Sequence, residues 1–181
     1  MQTQRAASLI TQSAAVVASC LALSATVVAD VYEFRVAFAN VPGIDELEAG
    51  DVHAGIRILE DRQTDKRAPK YIDEMSTLCA AYVVNDELDE AAVPCNYSVR
   101  KFRTMISYNN RGALRANLGD FEGAKEDFDY ARSIDEPRYL TVEQAEYVRG
   151  LAEHNFLLVS ELIARRDAPQ LEGGLALSDA N

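Results

Sequence analysis

The sequence contains no tryptophan, two histidines, three cysteines and five prolines in 181 residues. The two histidines, His53 and His154, lie far apart in the chain, and neither sits in a His-x-x-Glu-His or paired-His spacing. The donor pattern of a zinc site is therefore missing. Also missing are a glycine-rich phosphate loop and a Gly-x-Ser-x-Gly turn. Basic charge is the scarcest commodity: 18 Lys and Arg face 29 Asp and Glu, for a formal net charge of −11. Nucleic acid needs a basic surface that releases counterions from phosphate. The two basic clusters here, Lys66, Arg67 and Lys70, then Arg100, Lys101 and Arg103, are short and embedded in acid. Carboxylates are plentiful, as on any acidic helical surface, and none stands out as one of a catalytic pair. The reading is of a chain with no catalytic residue, no metal, no cofactor and no nucleic-acid partner.

What is present suits a folded protein. Apolar residues make up 48% of the chain, enough to fill the core of one domain. Residues 1–29 stand apart from the rest. They carry one charge, Arg5, then an apolar run from Ala14 to Val28, then Val27-Val28-Ala29 in a signal-peptidase layout before Asp30. The run is about 15 residues, short of the ~20 needed to span a bilayer. Cleavage after Ala29 leaves an exported chain with no membrane span. A competing reading takes Val17-Ala18-Ser19-Cys20 as a lipoprotein box with Cys20 lipidated, although the apolar run continues past Cys20 and Gln12 interrupts the stretch before it.

From Tyr108 to Pro137, apolar or small residues recur at Tyr108, Gly112, Leu114, Leu118, Phe121, Ala124, Phe128, Ala131 and Ile134, a helical spacing. Leu118-Gly119-Asp120 interrupts it with a helix stop and a capping residue. Two antiparallel helices result, with Gly112 and Ala124 at their crossing and Tyr108 and Phe128 filling the splayed end. The same chemistry recurs upstream in Met75, Leu78, Cys79 and Tyr82, a turn at Asp86-Glu87-Leu88, then Ala91, Cys95 and Ser98. Pro94 inside that second helix should kink or weaken it. A partial unit spans Ala49 to Leu59, with a short helix from about Asp45 before it and a polar connector, Asp61 to Pro69, after it. Downstream, Thr141 and Gln144 have capping-box spacing. They open a helix to about Arg166 whose buried stripe is Val142, Ala145, Val148, Ala152, Phe156, Val159 and Ile163. The tail, 167–181, reads as disordered.

The Tyr108–Pro137 stretch resembles a tetratricopeptide repeat, with Tyr108, Gly112, Ala124, Phe128 and Ala131 in register. Pro137 falls one place late, and Arg111 and Arg115 depart from the family's Leu and Tyr. The resemblance implies an all-α fold, an antiparallel helix-pair solenoid of about two to three repeats over 45–166, closed by a C-terminal capping helix. It also implies protein–protein interaction through a groove lined by the first helix of each pair. The groove positions are Asp73, Ser76, Ala80 and Val83 from one repeat, and Ile106, Asn109, Asn110, Ala113 and Asn117 from the next. Asparagines there can hydrogen-bond a peptide backbone without reading its side chains, although each position alone also reads as an ordinary solvated helix residue. Only Asn110 resembles part of the family's carboxylate clamp, and the lysines are missing, so carboxylate capture is not expected. Since about three repeats are usually needed to bury a continuous core, a homodimer through the open face of the first unit is a further option.

Three features stay open at this level. Cys79 and Cys95 fall on core-facing positions of the two helices of one repeat, and either bridge or remain two buried thiols. Residues 31–39, within an extended segment spanning 30–44, alternate Tyr32, Phe34, Val36 and Phe38 with Val31, Glu33, Arg35 and Ala37, the period of a strand. A lone strand in a helical array can lie in the groove, pair with a partner or serve as a lead-in; its place near the chain end favours a poorly ordered lead-in. The Asn96-Tyr97-Ser98 sequon falls in a helix and reads as chance. Two rival functions remain: a lipid-anchored structural or assembly component of the cell envelope, and an enzyme whose site would need a pocket lined by His154 and carboxylates.

Overall fold

Every regular element in the described residues is a helix. A computed structural model of the chain describes residues 33–62, 71–135 and 140–168, all within one compact unit, Tyr32–Asn181. The signal-peptide region and nearly all of the tail lie outside the described residues. In chain order the helices are α1 (Ile44–Glu48), α2 (Val52–Arg62), α3 (Tyr71–Val84), α4 (Leu88–Lys101), α5 (Met105–Asn117), α6 (Phe121–Ser133) and α7 (Val142–Asp167). None of the described helices is long and apolar enough to cross a membrane.

One turn is used three times. After α1, α3 and α5 the chain passes through a left-handed residue, Gly50 (φ 85°), Asp86 (φ 61°) or Gly119 (φ 82°). In each case the next N–H reaches back five residues: Asp51 to the Glu46 carbonyl at 2.8 Å, Glu87 to Tyr82 at 2.9 Å and Asp120 to Arg115 at 2.9 Å. The left-handed residue bonds three back, to Leu47, Val83 and Ala116. This is the Schellman ending, which satisfies carbonyls that the helix leaves without partners. Asp51 and Asp120 then cap the following helix through the N–H of Ala54 (3.1 Å) and of Gly123 (3.0 Å). Glu87 takes the same position without a side-chain cap.

Within the α5–α6 pair, partner numbers fall as the first number rises: Tyr108 meets Tyr130, Arg111 meets Asp127, and Arg115 meets the Gly123 carbonyl. The helices are antiparallel. Gly112 sits against Phe128; a Cβ at Gly112 would stand 2.6 Å from the ring. Phe128 is thus at the crossing point, not at a splayed end, and Tyr108 packs on Tyr130 instead, with centroids 4.3 Å apart. Full burial of Phe128 is worth about 1.5–3 kcal/mol. Numbering forward by 33 residues carries Cys79 to Gly112 and Cys95 to Phe128. At that same crossing in the α3–α4 pair, Cys79 and Cys95 form a disulfide, with Cα atoms 4.9 Å apart.

Three details differ from the sequence reading. α2 runs through Asp61 and Arg62, where a polar connector is expected, because the Arg62 guanidinium is held at 2.7 Å by the fully buried Glu74 carboxylate of α3. α4 continues unbroken past Pro94, with the Ser98 hydroxyl donating to the Pro94 carbonyl at 3.0 Å. The buried stripe of α7 is Val148, Leu151, Ala152, Asn155, Val159 and Leu162. Val142 is 77% exposed, since it lies at the first turn, beyond the edge of the helices that α7 packs on. The capping box does form: Thr141 Oγ1 accepts from the Gln144 N–H at 3.2 Å, and Gln144 Oε1 from the Thr141 N–H at 2.9 Å.

α5 packs on both α3 and α7, so α3, α5 and α7 make one inner layer. Residues 33–41 lie across it. The expected lead-in is a built part of the fold: Phe34, Val36 and Phe38 pack on the main core, and Ala37 sits in a second cluster with Met105, Ile106, Val148 and Leu151.

Candidate functional site

The inner layer holds residues 33–39 chiefly by their backbone. Asn110 of α5 accepts the Ala37 N–H at 2.8 Å through Oδ1, and its Nδ2 donates to the Ala37 carbonyl at 2.8 Å and to the Ser76 carbonyl of α3 at 3.0 Å. Asn155 of α7 repeats the grip on Arg35, with Oδ1 accepting at 2.9 Å and Nδ2 donating at 2.7 Å. Asn109 donates to the same Arg35 carbonyl at 2.9 Å and accepts from Asn155 Nδ2 at 3.0 Å. Thr77 Oγ1 of α3 takes the Ala39 N–H at 3.0 Å. The segment therefore steps from α7 over α5 to α3 as its numbers rise, bonding at every second residue, the period of an extended chain. A side-chain amide carries one donor side and one acceptor side, as a peptide unit does. The asparagines stand in for the neighbouring strand that a lone strand otherwise lacks.

All three asparagines are fully buried, which is tolerable only because their amides are bonded. Side chains add to the hold. The Phe34 ring stacks on Phe128, centroids 6.0 Å apart and planes 16° from parallel. The opposite edge of the segment is different. Among the described residues, the backbone N–H and C=O groups of Phe34, Val36 and Phe38 have no hydrogen-bond partner. These three residues are half-buried. Beside the segment lies a cleft of about 360 Å³, bounded by Ala37, Ala39, Asp73, Ile106, Tyr147 and Val148 among others. Asp73 is the only charged residue in its wall. Ala37 and Ala39 leave room there because neither has a side chain beyond Cβ.

Behind the inner layer, Asp127 of α6 receives two guanidinium groups. Arg111 binds it through both forks, at 2.8 and 2.6 Å, and Arg115 lies at 3.1 Å. Arg111 and Arg115, the departures from the repeat pattern, thus tie α5 to α6 by charge where other repeats pack apolar groups. The Asp127 hydrogen bond raises the Arg111 pKa, holding its charge more firmly. In the α2–α3 contact the Tyr82 hydroxyl donates to the Glu60 carboxylate at 2.5 Å. Burial, and then this bond, push the Tyr82 phenol above its ordinary range.

The groove positions expected from sequence divide into three groups. Ser76, Asn109 and Asn110 gather around residues 35–37. Asp73 and Ile106 border the cleft. Ala80, Val83 and Ala113 are core residues, and exposed Asn117 donates to its own helix at the Ala113 carbonyl, 2.8 Å. The groove around Asn109 and Asn110 is not an empty surface: the chain's own segment fills it. Sequence reasoning passes over Asn155 and Thr77. Asn155 had a visible signal, since it lies three residues after Ala152 and four before Val159, on the apolar side of α7; a polar residue there must find a partner. His53 is exposed on α2 and His154 half-buried on α7, and neither lines the cleft. Compared with known proteins, the chain matches no family model, no curated protein and no solved structure.

Proposed function

We propose that this chain is an exported, non-catalytic interaction protein of the tetratricopeptide type, which binds a partner polypeptide on the inner layer of α3, α5 and α7. The observation that carries this reading is the handling of residues 33–39. The inner layer already grips an extended chain by its backbone, through Asn109, Asn110, Asn155 and Thr77. A surface that reads backbone rather than side chains suits peptide recognition. The repeat assignment draws support from the thrice-used turn and from the 33-residue step that relates Cys79 and Cys95 to Gly112 and Phe128. The disulfide supports residence in an oxidising compartment, in keeping with the signal-peptide layout of residues 1–29.

The test is site-specific photo-crosslinking in the native cell. A benzophenone amino acid replaces Tyr147, an exposed residue on the cleft, and in a control replaces Glu161, exposed on the distal part of α7. A discrete protein adduct at Tyr147 that is absent at Glu161 is expected. No adduct at Tyr147, or equal labelling at both, contradicts the reading.

A further inference from the structure

The edge of the extended segment that faces away from the asparagines is itself a template. Each strand has two edges, and residues 35, 37 and 39 satisfy only one. An edge of unbonded N–H and C=O groups is the surface on which another extended chain adds. We infer that Phe34, Val36 and Phe38 form the docking edge for an extended, cationic segment of a partner protein, which adds as a β-strand and lays alternate side chains into the cleft beside Ala37 and Ala39. The inference rests on the interaction reading above and gives it a binding mode.

Charge decides the occupant. The chain carries a net −11, and the charged residues around the edge and cleft are Glu33, Arg35 and Asp73, two carboxylates against one cation. A second copy would bring another −11 to the contact, whereas a basic segment is attracted to it. Adjacent strands put their side chains on shared faces, so an added residue on the Ala37 side faces space that the two alanines leave open. Apolar walls from Ile106, Tyr147 and Val148 suit an aliphatic side chain or the stem of a lysine or arginine.

The experiment selects binders to the full, disulfide-intact chain from a displayed random heptapeptide library, then resynthesises a selected peptide with a single N-methyl group at each position in turn. Edge pairing predicts enrichment in Lys and Arg, and an affinity loss of about tenfold at alternate positions with little loss between them. Val36→Pro, which removes an unbonded N–H and keeps an extended backbone, should weaken the same peptide by a similar factor. Peptides that bind without this period-two pattern, or that strip the Ala37 amide of exchange protection by displacing the segment, overturn edge pairing and leave the interaction reading standing. Dimerisation of the chain that Val36→Pro abolishes would assign the edge to a second copy and overturn the partner. Failure of any peptide to bind the inner layer overturns the interaction reading itself.

Discussion

Asn110 holds Ala37 by both of its backbone groups, accepting its N–H and donating to its carbonyl, each at 2.8 Å. The residues are 73 apart in sequence, so this one amide fixes the N-terminal segment to the middle of the helical array. Its third bond, to the Ser76 carbonyl, ties the same point to α3. A single buried side chain thereby joins three parts of the chain.

Asn110→Ala removes all three bonds and leaves the Ala37 N–H unpaired in a site where Ala37 is 3% exposed. The expected destabilisation is about 2–3 kcal/mol, measured by urea denaturation. Cleavage after Arg35 by trypsin should also accelerate, because the segment loses its central attachment.

Gly112→Ala places a Cβ 2.6 Å from the Phe128 ring. The helices must part or the ring must leave its rotamer, at about 1–3 kcal/mol. Adding Phe128→Leu to that variant should recover part of the loss, which a double-mutant cycle would register as coupling.

Cys79 and Cys95 close a loop of separation 16. Loop-closure entropy gives such a bridge about 3 kcal/mol. The double replacement by alanine should lower the denaturation midpoint accordingly, and the intact protein should weigh about 2 Da less than its reduced form, the mass of two hydrogens.

Tyr82 donates to Glu60 in the folded chain, and its pKa is raised, first by burial and then by that bond. The folded state thus holds the phenolic proton more tightly than the unfolded state. The stabilisation is fully present below the ordinary tyrosine pKa of about 10 and is lost as pH rises above it. Tyr82→Phe should be less stable by about 1 kcal/mol at neutral pH, and the gap should close between pH 10 and 12 in denaturant titrations.

The helical elements were legible because their signals are local. Spacing of three and four, Gly119 at a helix stop and Thr141 with Gln144 each act within a few residues, and each element forms where those signals stand. The exchange of Gly112 and Phe128 for a disulfide was half legible: positional chemistry put Cys79 and Cys95 on facing helices but left bridge and thiols equally open. The segment 33–41 was not legible. Its period of two is plain, yet its partners are side chains of Thr77, Asn109, Asn110 and Asn155, 38 to 120 residues away. No local pattern says that an asparagine will act as a strand. The rotated stripe of α7 has the same cause: Asn155 faces inward because Arg35 waits there.

The most direct test of the account is residue-resolved amide hydrogen exchange over 35–39 by NMR in the full-length protein. The bonding pattern predicts alternation, with the amides of Arg35, Ala37 and Ala39 protected and those of Val36 and Phe38 exchanging much faster. Uniformly fast exchange across the five residues would show that the asparagines do not hold the segment, and uniform protection would show that its outer edge is already paired; either result contradicts the account.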